Sequence, residues 1–278
     1  MSDGQTILPK PQLGIGVILS RVLNGGWDRF AMLFAVAFCT DLIVTAIWYV
    51  IPEVAPAEDT FSSDTWMFYP FNTAYFYVSA IIEFALGGVV AALLTHCALT
   101  TRTGDGLSLG AGLRAVVVLL PFIVIYAIVT NVLTTLGLLM LIVPGLYIWA
   151  RWSVYLPILM TRRVPMGSVL PESARLTQGV RWAIVVVIIV ALAVAFGVSL
   201  AIELLSSFVA LGDGTFGDFS AFYPASDSIY YTLGYAFKDA LIHGFRSLIV
   251  ALVIVEIFLR LLEIEDGGEV DTLRKIFS

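Results

Sequence analysis

The chain has 278 residues, 59% of them hydrophobic and 13% charged, and carries a formal net charge of −6. A soluble domain has roughly 45–50% apolar and about 25% charged residues, so this composition excludes a water-exposed globule. The acidic balance also argues against a nucleic-acid partner. The expected class is an all-α polytopic membrane protein, since each bilayer crossing takes about 20 apolar residues.

Residues 1–12 form a polar tail without an apolar core or cleavage site, so no secretory signal is expected there. Residues 13–23 place Ile15, Ile18, Leu19, Val22 and Leu23 on one face. That is the pattern of a short amphipathic helix lying in the membrane interface. Gly25 and Gly26 end it, and Trp27 and Arg29 serve as interface anchors. The first span is expected at 30–51, closed by Pro52. Residues 52–73 hold Glu53, Glu58, Asp59 and Asp64 but no Lys or Arg, a loop at the headgroups.

The second span is 75–99, with Gly87 and Gly88 permitting close helix contact. The next amphipathic segment, LSLGAGLRAVV, echoes LGIGVILSRVL of the first, and PMGSVLPESARL is a looser third copy. These suggest three units, each an interfacial helix followed by two spans; a shared interface composition explains the echo about as well. The third and fourth spans are 114–136 and 140–161. Their hairpin apex falls within 137–145, where Gly and Pro permit a tight turn. The fifth span is 182–205. Residues 206–230 form a second loop free of Lys and Arg, holding Asp213, Asp218 and Asp227. The sixth span is 241–262, residues 13–266 make one six-span domain, and 267–278 is a polar tail.

All Lys and Arg except Arg151, Lys238 and Arg246 fall in the N-terminal segment, the 100–114 and 161–181 connections, or the C-terminal end. By the positive-inside rule both termini are cytoplasmic and both acidic loops face outward.

The block IVPGLYIWARWSVYLPIL, followed by SARLTQGVRW and a closing IFLRLLEIEDGG, resembles the six-span membrane domain of some glycerophosphodiester phosphodiesterases. Stand-alone bacterial inner-membrane proteins share that domain. The resemblance covers most of residues 13–268 and implies a multi-pass fold in a bacterial inner membrane. It brings no activity with it, because the enzymes' chemistry belongs to a separate soluble barrel that is not expected in these residues.

Ionisable groups within a bilayer cost roughly 2.5–3.5 kcal/mol each on insertion scales, so each needs a partner or a task. Counting along the expected spans places Asp41, Glu83, Asn131, Glu203, His243 and Arg246 in the outer half and Arg151 nearer mid-depth. Asp239, His243 and Arg246 share a face at i, i+4, i+7. Two interpretations stand. The cluster either lines a polar cavity for a lipid headgroup, proton or small solute, or it joins the helices by pairing Glu83 or Glu203 with Arg246. Arg151 is expected to face the bundle interior. Arg162, Arg163, Arg175 and Arg181 form a cytoplasmic basic belt suited to anionic lipid.

No catalytic pattern emerges. His96 and His243 lie at opposite depths and cannot share a metal. Gly104-Asp105-Gly106 lacks the Lys-Ser/Thr of a phosphate cradle, and Asp213, Gly214 and Asp218 lack calcium-loop spacing. Cys39 and Cys97 sit in apolar runs as packing residues. The expectation is a non-enzymatic membrane module without a cofactor, a lipid-contacting scaffold or a subunit of a larger membrane complex. The alternative is a transporter or lipid-handling permease.

Overall fold

A computed structural model describes residues 13–23, 27–50, 70–103, 109–161, 164–211 and 229–265. Among these the protein is helical, with no strand. Arg162, Arg163, the Gly104-Asp105-Gly106 loop, most of both acidic loops and both polar tails lie outside the described residues.

Helix α1, Ile15–Leu23, follows Gly14 and seats Leu13 and Ile18 in the core. Then come α2, Trp27–Val50, and α3, Pro70–Thr103. Next are α4, Leu109–Met140, α5, Ile142–Trp152, and α6, Tyr155–Thr161. A 3-10 turn at Met166–Ser168 leads into α7, Val169–Leu176. The last two are α8, Arg181–Leu211, and α9, Ile229–Glu265. Among the described residues, four segments are long and apolar enough to cross a membrane: Ala80–Arg102, Leu109–Met140, Ile142–Thr161 and Arg181–Ser206. The expected spans fall on α2, α3, α4, α5 with α6, α8 and α9.

One expectation changes. The second amphipathic segment is not a separate interfacial helix but the first turns of α4, which runs unbroken to Met140. The difference from α1 is chemical: Gly25 and Gly26 follow the first segment, whereas Ala115–Leu120 supplies only apolar helix-compatible residues. Pro121 lies inside α4 without ending it.

Helix α9 is the axis. It packs on α2, α8 and α3, and carries α1 against its C-terminal half. Phe30, Phe34 and Phe38 of α2 form a ladder whose members meet Phe245 and Phe237 of α9 edge-on, at centroid distances of 5.1–6.4 Å, favourable aromatic geometry. Gly88, but not Gly87, is the close-contact glycine of α3: a Cβ there would fall 2.4 Å from the Ala127 Cβ of α4. The densest core joins Leu94 and Leu99 of α3, Ile158 of α6, Ile184 and Ile188 of α8, and Ile257, Phe258 and Leu262 of α9. It sits toward the C-terminal end of α9.

The single-residue break between α4 and α5 is Leu141, within the expected apex window. The break between α5 and α6, at Ser153 and Val154, has a covalent cause. Pro157 has no N–H to offer the Ser153 carbonyl and its ring crowds that oxygen.

Candidate functional site

Two charged regions lie at opposite ends of α9. At its C-terminal end, Glu256, Arg260 and Glu263 recur at i, i+4, i+7 and so share one face. Glu256 is 3% exposed and its carboxylate lies 2.5 Å from Arg102 Nη2 of α3. The contact is Coulombic, because Glu256 Oε1 takes no aligned hydrogen bond among the described residues. Arg102 Nη2 donates instead to the Arg21 carbonyl of α1, at 2.8 Å. Arg21 Nη1 donates to Glu263 Oε1 at 2.8 Å, and Arg260 Nη1 to Glu263 Oε2 at 2.6 Å. Arg175 of α7 forms a two-pronged pair with Glu172 and reaches Glu265 at 2.6 Å.

These bonds tie α1, α3 and α7 to the end of α9 as a collar. The Glu263 hydrogen bond raises the Arg21 pKa above its ordinary value. Burial alone would raise that of Glu263, but hydrogen bonds from Arg21 and Arg260 outweigh it and hold the carboxyl below the usual range. Arg175 is likewise raised, chiefly by its bond to Glu172.

The block SARLTQGVRW acquires a structural meaning beside the collar. Ser173, fully buried, donates its hydroxyl to the Arg151 carbonyl at 3.1 Å, and the buried Thr177 hydroxyl lies between that carbonyl at 3.2 Å and the Ser173 carbonyl of its own helix at 2.9 Å. The helix break after Trp152 leaves that carbonyl facing α7. Gly179, at φ +88, then turns the chain from α7 into α8, a backbone position glycine adopts without strain. Arg181 Nη2 donates to the Ala174 carbonyl at 2.9 Å. Its Nη1 donates to the Tyr147 hydroxyl, with the guanidinium 4.9 Å from the ring centroid. The motif is therefore a clamp that locks α5, α7 and α8 together.

At the far end of α9 the expected cluster is only partly assembled. Asp41 of α2 faces Ser247 and Arg246 of α9, and its Oδ2 is buried with no hydrogen-bond partner among the described residues. His243 Nδ1 lies 2.9 Å from Arg246 Nη2, while Glu83 and Asp239 lie within electrostatic reach of His243. Glu203 takes a different partner from the one expected: its carboxylate is 3.0 Å from Lys238 Nζ. Helix α8 runs antiparallel to α9, which brings Glu203 level with residue 238 and leaves Arg246 about two turns away.

Two residues fall outside the cluster. Asn131 is exposed on α4 and turns back to its own helix, donating to the Ala127 carbonyl at 2.8 Å. Arg151 does not face the bundle interior. It is exposed, with its guanidinium 5.9 Å from the Trp152 ring, because α7 covers the Arg151 carbonyl and leaves the side chain outside. Of the expected lipid-contacting belt, Arg175 and Arg181 are engaged by protein groups. Exposed Arg29, Arg114 and Arg151 make no ion pair among the described residues.

The collar itself was not singled out in the sequence, although the spacing of Glu256, Arg260 and Glu263 in an apolar helix was a readable signal. Among the described residues no three His, Cys, Asp or Glu side chains are grouped to hold a metal. No protein-family model, curated protein or solved structure matches the chain.

Proposed function

We propose that this protein is a non-enzymatic integral membrane module, a lipid-contacting scaffold or accessory subunit of a larger membrane complex in a bacterial inner membrane. In this account α2, α3, α4, α5 with α6, α8 and α9 are the six membrane segments, and both termini lie in the cytoplasm. The collar then sits in the cytoplasmic headgroup layer. The observation that carries the proposal is that collar: its acids and bases are spent on one another, which builds a fixed platform. Arg29, Arg114 and Arg151 are left to meet lipid phosphates, which prefer Arg donors. The sequence resemblance to the phosphodiesterase membrane domain supports the same location and no chemistry.

A permease is the second account, favoured by Asp41, whose Oδ2 is buried with no hydrogen-bond partner among the described residues although Ser247 and Arg246 face the same carboxyl. A buried acceptor without a donor is the kind of group that a bound solute or proton would satisfy.

Native purification in mild detergent, with mass spectrometry of co-eluting lipids and proteins, tests the choice. Anionic lipid should be retained by the native chain and lost from a variant with Arg29, Arg114 and Arg151 changed to Ala. Equal retention of anionic and zwitterionic lipid by both chains contradicts the scaffold account. Solute uptake by liposomes, abolished in Asp41→Asn, would establish the permease instead.

A further inference from the structure

The tip of the α4–α5 hairpin is apolar on every side. Residues 136–146 read LGLLMLIVPGL, and Leu139, Met140, Leu141 and Ile142 are 77%, 82%, 69% and 69% exposed. A turn emerging into water carries polar residues, and this one has none. Helical pairing reaches the turn from both sides. The Leu141 N–H donates to the Gly137 carbonyl at 3.0 Å, and the Gly145 N–H to the Leu141 carbonyl at 3.4 Å. Both are i to i−4 bonds, the last of α4 and the first of α5, and Pro144 has no N–H to leave unpaired. Gly145 lets the two helices of the hairpin touch: a Cβ there would fall 2.5 Å from the Leu138 backbone nitrogen.

The position of the tip follows from Tyr147. Five residues, about 7.5 Å of helix, separate Ile142 from Tyr147, whose hydroxyl and ring meet Arg181. Arg181 opens the apolar segment Arg181–Ser206, and exposed Trp182 beside it marks a membrane interface. That segment spans about 39 Å, enough to cross the hydrocarbon of about 30 Å. A tip one short helix turn and two side chains from Arg181 does not reach the opposite face.

We infer that α4 and α5 form a re-entrant hairpin whose tip is buried among the acyl chains of the leaflet on the Arg181 side. The inference rests on the proposal that α8 crosses the bilayer. It deepens that proposal by making the hairpin a wedge in one leaflet. The distribution of Lys and Arg is blind to it, because a re-entrant hairpin and a crossing pair both return the chain to the same side.

The test uses the full chain with Cys39 and Cys97 changed to Ala, carrying Met140→Cys, or Leu139→Cys as a second position, in liposomes. The cysteine should resist a membrane-impermeant maleimide added to either face. A nitroxide there should be reached by oxygen and shielded from an aqueous nickel chelate. Its dipolar distance to a label at Gln178→Cys should be shorter than to one at Leu205→Cys. Modification from water on either face, or a tip closer to 205 than to 178, overturns the inference. The lipid-retention result would stand unaffected, which separates this failure from that of the scaffold proposal.

Discussion

The two ends of α9 spend charge differently. At the collar, Glu256 is 3% exposed and meets Arg102 at 2.5 Å, and Glu263 is gripped from both sides by Arg21 and Arg260. At the far end, Glu203 is 46% exposed where it pairs with Lys238, and Arg246 is exposed beside His243. The lesson is that burial, and not the number of charges, decides which end holds the fold. Removing one partner of a buried pair strands a charge, whereas exposed pairs are screened and cost side-chain entropy to form.

The sharpest way to break this comparison is Arg102→Leu. It leaves the Glu256 carboxylate buried without its cation and should cost on the order of 3–5 kcal/mol, seen as a large fall in detergent Tm. Gly145→Ala should come next. Its methyl would meet the Leu138 backbone and force the hairpin open, at about 1–3 kcal/mol by analogy with overpacked cores; a fall in detergent Tm would report the strain. Smaller again, Ser173→Ala and Thr177→Val should each cost about 0.5–1.5 kcal/mol by removing a hydroxyl from the Arg151 carbonyl. Their combined loss should be non-additive, since both serve one acceptor.

The smallest effect concerns pH. The folded pKa of Glu263 lies below its ordinary value, so its ionised form stabilises the collar. That contribution is fully present above about pH 4.3 and fades as acidification approaches the lower folded value. Glu263→Gln should flatten this part of the Tm-against-pH curve. An unchanged slope would mean that Glu263 gains nothing from its two arginines.

Much of the helical layout was legible because it is local. Apolar runs of span length, the amphipathic face of α1 and the Gly-Pro window around Leu141 are all written within a few turns of chain. What was not legible depends on distance in sequence or on a single breaker. Arg21 and Glu263 are separated by 242 positions, and no periodicity announces that they touch. The far-end partners went astray for a related reason. Glu203 could reach either Lys238 or Arg246, and only the register of α8 on α9 chooses Lys238. Arg151 was expected inside because a cation exposed to lipid midway along one unbroken helix through residues 140–161 would be costly. Pro157 breaks that helix, and α7 then takes the carbonyl in place of the guanidinium. Ser173 and Thr177 looked like motif residues without a task until the broken helix supplied their acceptor.

The central claim is that the collar, and not the far-end cluster, couples the helices. Two double-mutant cycles on detergent-solubilised protein, one on Arg102 and Glu256 and one on Glu203 and Lys238, test it most directly. The predicted result is a strong coupling for the first pair, with the double variant much milder than Arg102→Leu alone. For the second pair it should be about 0–1 kcal/mol. A coupling at Glu203 and Lys238 equal to or larger than that at Arg102 and Glu256 would contradict the account.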